Sequence, residues 1–155
     1  MSTSFLSKAK EVNYFSYIGV IGGIFVILSE FLPWFSDNNL ILIFILSTFD
    51  PDAFVYFFPL MSGIICLSGS FLYIFRQDLK INSIIIQLIG LGFNTIFILD
   101  FIVNQIVFIL TIQLGFYFFI VGFSLIFIEI ITKLTWKEEI PVNQIEEKEN
   151  TQIEE

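Results

Sequence analysis

Four long apolar stretches, separated by short polar segments, dominate the sequence. They cover residues 14–35, 53–75, 81–101 and 105–132, and the second contains no charged side chain. A helix needs about 20 mostly apolar residues to cross about 30 Å of hydrocarbon, and each stretch meets that length. The pattern therefore predicts an all-α membrane protein whose transmembrane domain, residues 14–133, is a bundle of four transmembrane helices.

A fifth apolar run, Leu40–Leu46, has only seven residues (LILIFIL) and is too short to cross a membrane. Asp and Asn precede it at 37–39, and Asp50, Pro51 and Asp52 follow it. Such residues favour turns and bound short elements. We therefore expect a strand-like or interfacial segment in the first outer loop.

The amino-acid composition excludes several kinds of catalytic and metal-binding chemistry. Hydrophobic residues make up 56% of the chain and charged residues 14%, whereas about a quarter of the residues in soluble domains are charged. Histidine is absent, and Cys66 is the only cysteine, which excludes His-based acid–base chemistry, the common zinc ligand sets and an intrachain disulfide. No catalytic, cofactor-binding or metal-binding motif is present, so we expect a protein that is not an enzyme.

The basic residues predict the orientation. All seven fall on one side of the four predicted spans: Lys8, Lys10, Arg76, Lys80, Lys133, Lys137 and Lys148. Cytoplasmic loops carry the excess of Lys and Arg. We therefore expect a multi-pass protein of the cell membrane with both termini in the cytoplasm, residues 1–13 forming the N-terminal segment.

The C-terminal segment, residues 134–155, is acidic. It holds seven glutamates against Lys137 and Lys148, a net charge of 2 − 7 = −5, and it has no aromatic residue after Trp136. This composition predicts a disordered cytoplasmic tail, either simply solvated or docking a basic cytosolic partner. Because most of the net charge of −8 is in this tail, the sequence has no basic footprint for nucleic acid.

Small and polar residues fall on one face of each predicted span at about 100° per residue. The glycines on these faces are Gly19, Gly23, Gly63, Gly69, Gly90, Gly115 and Gly122. Membrane helices associate where small residues let their backbones approach, so we expect helix contacts at all of them. Gly22 is turned about 100° from the face of Gly23, so Gly23→Leu is expected to disrupt the bundle more than Gly22→Leu.

Several polar residues are candidates for function. Gln87 and Asn94 lie well inside the third span and predict an interior polar network, either bonding helices together or lining a path for a polar ligand or ion. Glu129 is expected to meet Lys133 at i+4. Glu30, Asp100 and Asn104 are expected at the outer ends of their spans, either as solvated boundary residues or as one cluster that shares a proton or binds a cation.

The fourth span has a second polar face, formed by Gln113, Tyr117 and Ser124. A lone bundle buries one face of each helix, so this face predicts contact with a partner membrane protein or a second copy, in addition to the lipid bilayer.

Residues 31–35, FLPWF, close the first span. With four spans, a longer first outer loop and a short second one, the chain resembles claudin-like tetraspan proteins, and small uncharacterised archaeal and bacterial four-span proteins with a Gly-rich first span ending in Leu-Pro-Trp. The claudin pattern has a second Trp and two Cys in the first loop, which this chain lacks, so the resemblance implies the architecture alone.

Two functions follow from these features. The first is a non-enzymatic structural, assembly or accessory subunit of a membrane complex, favoured by the second polar face of the fourth span. The alternative is a cation- or proton-conducting protein that uses Glu30, Asp100, Gln87 and Asn94.

Overall fold

A computed structural model of the chain describes residues 17–34, 38–47, 51–104 and 113–135. The predicted N-terminal segment 1–13 and the acidic tail beyond residue 135 lie outside the described residues, as do Trp136 and the connection 105–112.

Helices form nearly all of the described structure. Their bounds are α1, Tyr17–Ser29; α2, Leu40–Leu46; α3, Phe58–Phe75; α4, Lys80–Asn104; and α5, Leu114–Thr135. Short 3₁₀ helices, Pro51–Phe57 and Gln77–Leu79, lead into α3 and α4. Within the described residues there is no β-strand, which confirms the all-α prediction.

Three of these segments are long and apolar enough to cross a membrane: Ala53–Phe75, Gln77–Val103 and Leu114–Thr135. The described part of α1 is apolar but shorter. The structure thus has three helices of membrane-crossing length and a shorter apolar one.

The segment between α1 and α3 contains a helix, α2, where a strand was one of the two expectations. Asn39 caps α2: its side chain accepts a hydrogen bond from the Leu42 N–H at 2.8 Å. A lone strand would leave its backbone groups unpaired, whereas a helix satisfies most of them within the segment. The strand-like interpretation of Leu40–Leu46 was therefore wrong.

The end of α4 also differs from the prediction. The expected turn at residues 100–104 is helical, because α4 continues to Asn104. Phe101 is buried in this last part and packs against Phe116 at the start of α5, with a ring-centroid distance of 5.5 Å. This aromatic contact favours continuing the helix past Asp100.

Helices α3 and α4 pack antiparallel through small residues. The carbonyl of Ser83, near the start of α4, approaches Gly69 near the end of α3, and the carbonyl of Ser62 approaches Gly90 further along α4. A Cβ atom at either glycine would lie within 3.1 Å of these carbonyl oxygens. The absence of a side chain therefore sets the close spacing of the two helices.

Helix α1 packs against two neighbours rather than one. Gly23 faces Gly63 of α3, while Gly22 faces Gly122 of α5, where an added Cβ would lie 2.8 Å from the Gly122 carbonyl oxygen. Because α4 also contacts α5, the four helices form a closed antiparallel bundle. The expectation that Gly22 lies off the packing surface was wrong, because α1 is wedged between α3 and α5.

The seven glycines of the predicted faces all lie within contact distance of another segment. Their neighbours include side chains or backbone of Glu129 (for Gly19), Leu67 (Gly23), Ile27 (Gly63), Gln87 (Gly69), Cys66 (Gly90), Trp34 (Gly115) and Val26 (Gly122).

Trp34 closes one end of the bundle. Its indole is fully buried, donates Nε1–H to the Ser29 carbonyl at 2.6 Å, and meets Phe97 and Phe119 at centroid distances of 5.4 and 5.6 Å. The polar atom of the indole is therefore satisfied inside the protein.

We predict that Gly22→Leu and Gly23→Leu both destabilise the bundle, by at least about 1–3 kcal/mol each, because each added side chain meets backbone of a neighbouring helix. Thermal unfolding in detergent measures the loss. The matched control is Gly92→Leu, where an added Cβ has nothing within 4 Å. If Gly22→Leu unfolds like the Gly92→Leu control, the position of α1 is wrong.

Candidate functional site

An ion pair lies inside the bundle near the end of α5. Lys133 Nζ is 2.6 Å from Glu129 Oε1, and the two side chains are 3% and 0% exposed. At this separation the ammonium group and the carboxylate form a direct ion pair. The predicted i+4 pairing of Glu129 with Lys133 is confirmed, and it occurs in the protein interior.

The second carboxylate oxygen of Glu129 accepts hydrogen bonds from two neighbouring helices. Ser70 of α3 donates its hydroxyl to Oε2 at 2.7 Å, and Gln87 of α4 donates Nε2–H to the same oxygen at 2.5 Å. The Gln87 amide also lies 2.7 Å from the Ser70 hydroxyl oxygen. One carboxylate therefore joins three helices.

The ammonium group of Lys133 is satisfied in the same way. It donates to Ser83 Oγ at 2.9 Å and to Gln87 Oε1 at 3.2 Å, both on α4. The Ser83 hydroxyl donates a hydrogen bond to the Gly69 carbonyl at 2.7 Å, and the Tyr73 ring of α3 lies 4.7 Å from Nζ. Hydrogen bonds, the Glu129 charge and a cation–π contact together surround this buried cation.

Helix α1 meets the Glu129 carboxylate at Gly19, which has no side chain. A Cβ at Gly19 would overlap the Glu129 carboxylate, and it would lie 2.7 Å from Ser70 Oγ. Gly19 therefore leaves the space that the carboxylate occupies. We call Glu129, Lys133, Gln87, Ser70 and Ser83 the buried polar network.

The buried polar network is balanced in charge and in hydrogen bonds. One carboxylate faces one ammonium, and Gln87 uses both ends of its amide. Charges out of water are tolerated when they are paired and hydrogen-bonded. The arrangement therefore suits a structural connection between helices.

The structure places the two predicted interior residues, Gln87 and Asn94, in different surroundings. Gln87 lies at the centre of the buried polar network, whereas Asn94, two turns further along α4, is 0% exposed with neither amide atom in a hydrogen bond among the described residues. The two amides thus occupy different environments.

Glu30 caps a helix that lacks a local cap. The residue before α3 is Phe57, which offers no side-chain acceptor, and the Leu60 N–H in the first turn donates to Glu30 Oε1 at 3.0 Å. This N–H is one that an N-cap side chain ordinarily satisfies, and a carboxylate suits the positive end of a helix dipole. Glu30 is 0% exposed, and its Oε2 has no hydrogen-bond partner among the described residues.

The expected cluster of Glu30, Asp100 and Asn104 stays a prediction. Glu30 accepts a hydrogen bond from the Leu60 N–H of α3. Asp100 is half-buried on α4, and the side chain of Asn104 lies outside what the structure describes. A buried Glu30 does not match the alternative of a solvated boundary residue.

The sequence pattern predicted the pairing of Glu129 with Lys133 and the interior position of Gln87, but it did not indicate Ser70 or Ser83 as their partners. It did not foresee that Lys133 turns inward. A signal was available, since Lys133 follows Glu129 by one turn and Glu129 shares a face with Gly122.

A second ion pair provides a contrast. Arg76 and Asp78, in the connection between α3 and α4, form two contacts of 3.2 Å and are both more than half exposed. Exposed pairs of this kind contribute little to stability.

No protein-family model, curated protein or solved structure matches the chain. Within the described residues, no three His, Cys, Asp or Glu side chains come together as metal ligands.

We predict that Lys133→Met lowers the free energy of unfolding by about 3–5 kcal/mol, because it leaves the Glu129 carboxylate buried without its counter-charge. The double variant Glu129→Gln, Lys133→Met should recover part of this loss. Denaturant titration in detergent or bicelles measures both. Asp78→Asn, which breaks the exposed pair, is the control and should change little; a Lys133→Met variant as stable as this control would contradict the network.

Proposed function

We propose that this chain is a non-enzymatic integral membrane protein that acts as a structural, assembly or accessory subunit of a membrane complex. The observation that carries the proposal is that the buried polar groups bond to one another. Glu129 and Lys133 pair within α5 and both bond to Gln87 of α4, so these groups hold neighbouring helices of the bundle together.

The outer face of α5 supplies the second argument. Tyr117 is 60% exposed, and Ser124, two turns later on the same face, is also exposed. The Ser124 hydroxyl donates to the Ile120 carbonyl of its own helix at 2.8 Å, so Ser124 is tolerated in lipid. A partner helix with small residues would find both side chains accessible, and we propose that a second copy or another membrane protein binds here.

The proposal includes four membrane crossings with both termini in the cytoplasm. The one-sided distribution of Lys and Arg supports this orientation, and the antiparallel packing of α1 against α3 and α5 is compatible with a first crossing. The claudin-like resemblance is proposed for the architecture only.

A matched pair of serines tests the partner face. In a Cys66→Ala background, Ser124→Cys on α5 and Ser68→Cys on the exposed face of α3 each receive a maleimide photo-crosslinker in native membranes. We expect Ser124→Cys to give a discrete adduct, at twice 17.9 kDa for a second copy or at another defined mass for a different subunit. The same weak pattern from both positions would argue against a partner on α5.

A second candidate function is cation or proton conduction, favoured by one observation. Ser62, Cys66 and Ser70 follow one another at single-turn spacing on the buried face of α3. They run from Ser62, two residues after the Leu60 N–H that Glu30 binds, to the buried polar network that Ser70 joins. Proton relays in membrane proteins use intramembrane ionisable residues, and these hydroxyl and thiol groups lie between two carboxylates.

Flux into proteoliposomes under an imposed gradient tests conduction. We expect Glu30→Gln to reduce the flux to that of empty liposomes, while Asp78→Asn leaves it unchanged because Asp78 is exposed outside the bundle. Flux that is insensitive to both Glu30→Gln and Asp100→Asn would remove this candidate.

A further inference from the structure

At the end of the bundle opposite the buried polar network, two fully buried side chains have polar atoms without a hydrogen-bond partner among the described residues. Glu30 has one unpartnered carboxylate oxygen, and Asn94 has both amide atoms unpartnered among the described residues. Buried polar groups in folded proteins are almost always satisfied by protein, water or an ion. Two exceptions together therefore point to a bound species.

The two side chains lie at the same level of α3. Glu30 is bonded to Leu60 in the first turn of that helix. Phe93, next to Asn94, packs its ring 5.3 Å from Phe58 at the start of α3. Asn94 also shares a helix face with Gly90, which contacts Ser62 one turn deeper. Glu30 and Asn94 therefore both lie at the level of the first turn of α3.

The charges around Glu30 indicate which kind of ligand binds there. The described basic residues Arg76, Lys80 and Lys133 lie at the other end of the bundle, where α3 and α5 end and α4 begins. The nearest compensation for Glu30 is the Leu60 N–H and the dipole of α3. A buried carboxylate without a full counter-charge is costly, and carboxylate and amide oxygens are the ligands that hard cations prefer.

We propose that Glu30 Oε2 and the Asn94 amide oxygen bind one monovalent cation of the Na⁺ type at the first turn of α3. A single carboxylate balances a single positive charge, which favours a monovalent ion over a divalent one. The site differs from the cluster expected from the sequence, because Asn94 replaces Asp100 and Asn104. It does not depend on transport, since a cation that stays bound would serve as part of the structure.

Thermal unfolding of the full chain in detergent, with NaCl exchanged for choline chloride at constant ionic strength, tests the site. A ligand that binds only the folded state raises Tm with its concentration. We expect Tm to rise by about 3–6 °C for each tenfold increase in Na⁺ above the dissociation constant. In Glu30→Gln, which keeps an acceptor for Leu60 but loses the charge, this dependence should be absent.

Asn94→Leu is the second variant, because it removes the amide but keeps the side-chain size and should fold without an unsatisfied group. It too should lose the Na⁺ dependence, whereas Asp78→Asn should keep it. A wild-type Tm that does not respond to Na⁺ would mean that Glu30 and Asn94 bind no Na⁺, and equal slopes in all variants would mean nonspecific salt effects. Either result overturns the proposal. The measurement uses no ion gradient, so a negative flux assay does not affect it.

Discussion

The central physical constraint on this protein is that polar groups placed inside an apolar bundle must find their partners there. Lipid offers no hydrogen bonds, and it gives no reason for one Leu- or Phe-rich helix to leave it for another. The Glu129–Lys133 pair satisfies the constraint only because α3 and α4 bring Ser70, Gln87 and Ser83 to it. The requirement to satisfy two buried charges thus fixes which helices are neighbours and in what register.

Close approach of the helix backbones makes this possible. At Gly19 and Gly69 the missing side chains leave room for the Glu129 carboxylate and the Gln87 side chain. The positions of the charged residues therefore depend on the small residues. A larger residue at Gly19 would displace the Glu129 carboxylate, although Gly19 itself makes no hydrogen bond to it. At the other end, Trp34 and its neighbouring phenylalanines fill the space between helices with aromatic rings.

Much of the fold could be predicted from the sequence, because membrane helices are defined by length and apolarity, and helix contacts by glycines at regular spacing. The inward position of Gln87 followed from its face. The capping of α3 by Glu30 could not be predicted, since it joins residues 30 positions apart. The helical form of Leu40–Leu46 depends on one Asn39 hydrogen bond, and the contact of Gly22 with α5 depends on how α1 is rotated. These features arise from tertiary packing, which a single-helix projection does not contain.

The most direct test of the account is a solid-state NMR measurement of the dipolar coupling between Lys side-chain ¹⁵Nζ and Glu side-chain ¹³Cδ in protein reconstituted into lipid bilayers. The account predicts a strong short-range coupling, consistent with the 2.6 Å separation of Lys133 Nζ and Glu129 Oε1, that disappears in Lys133→Met and persists in Asp78→Asn. A coupling that is absent in the wild type, or unchanged in Lys133→Met, would contradict the claim that Glu129 and Lys133 of α5 form a buried ion pair to which α3 and α4 bond.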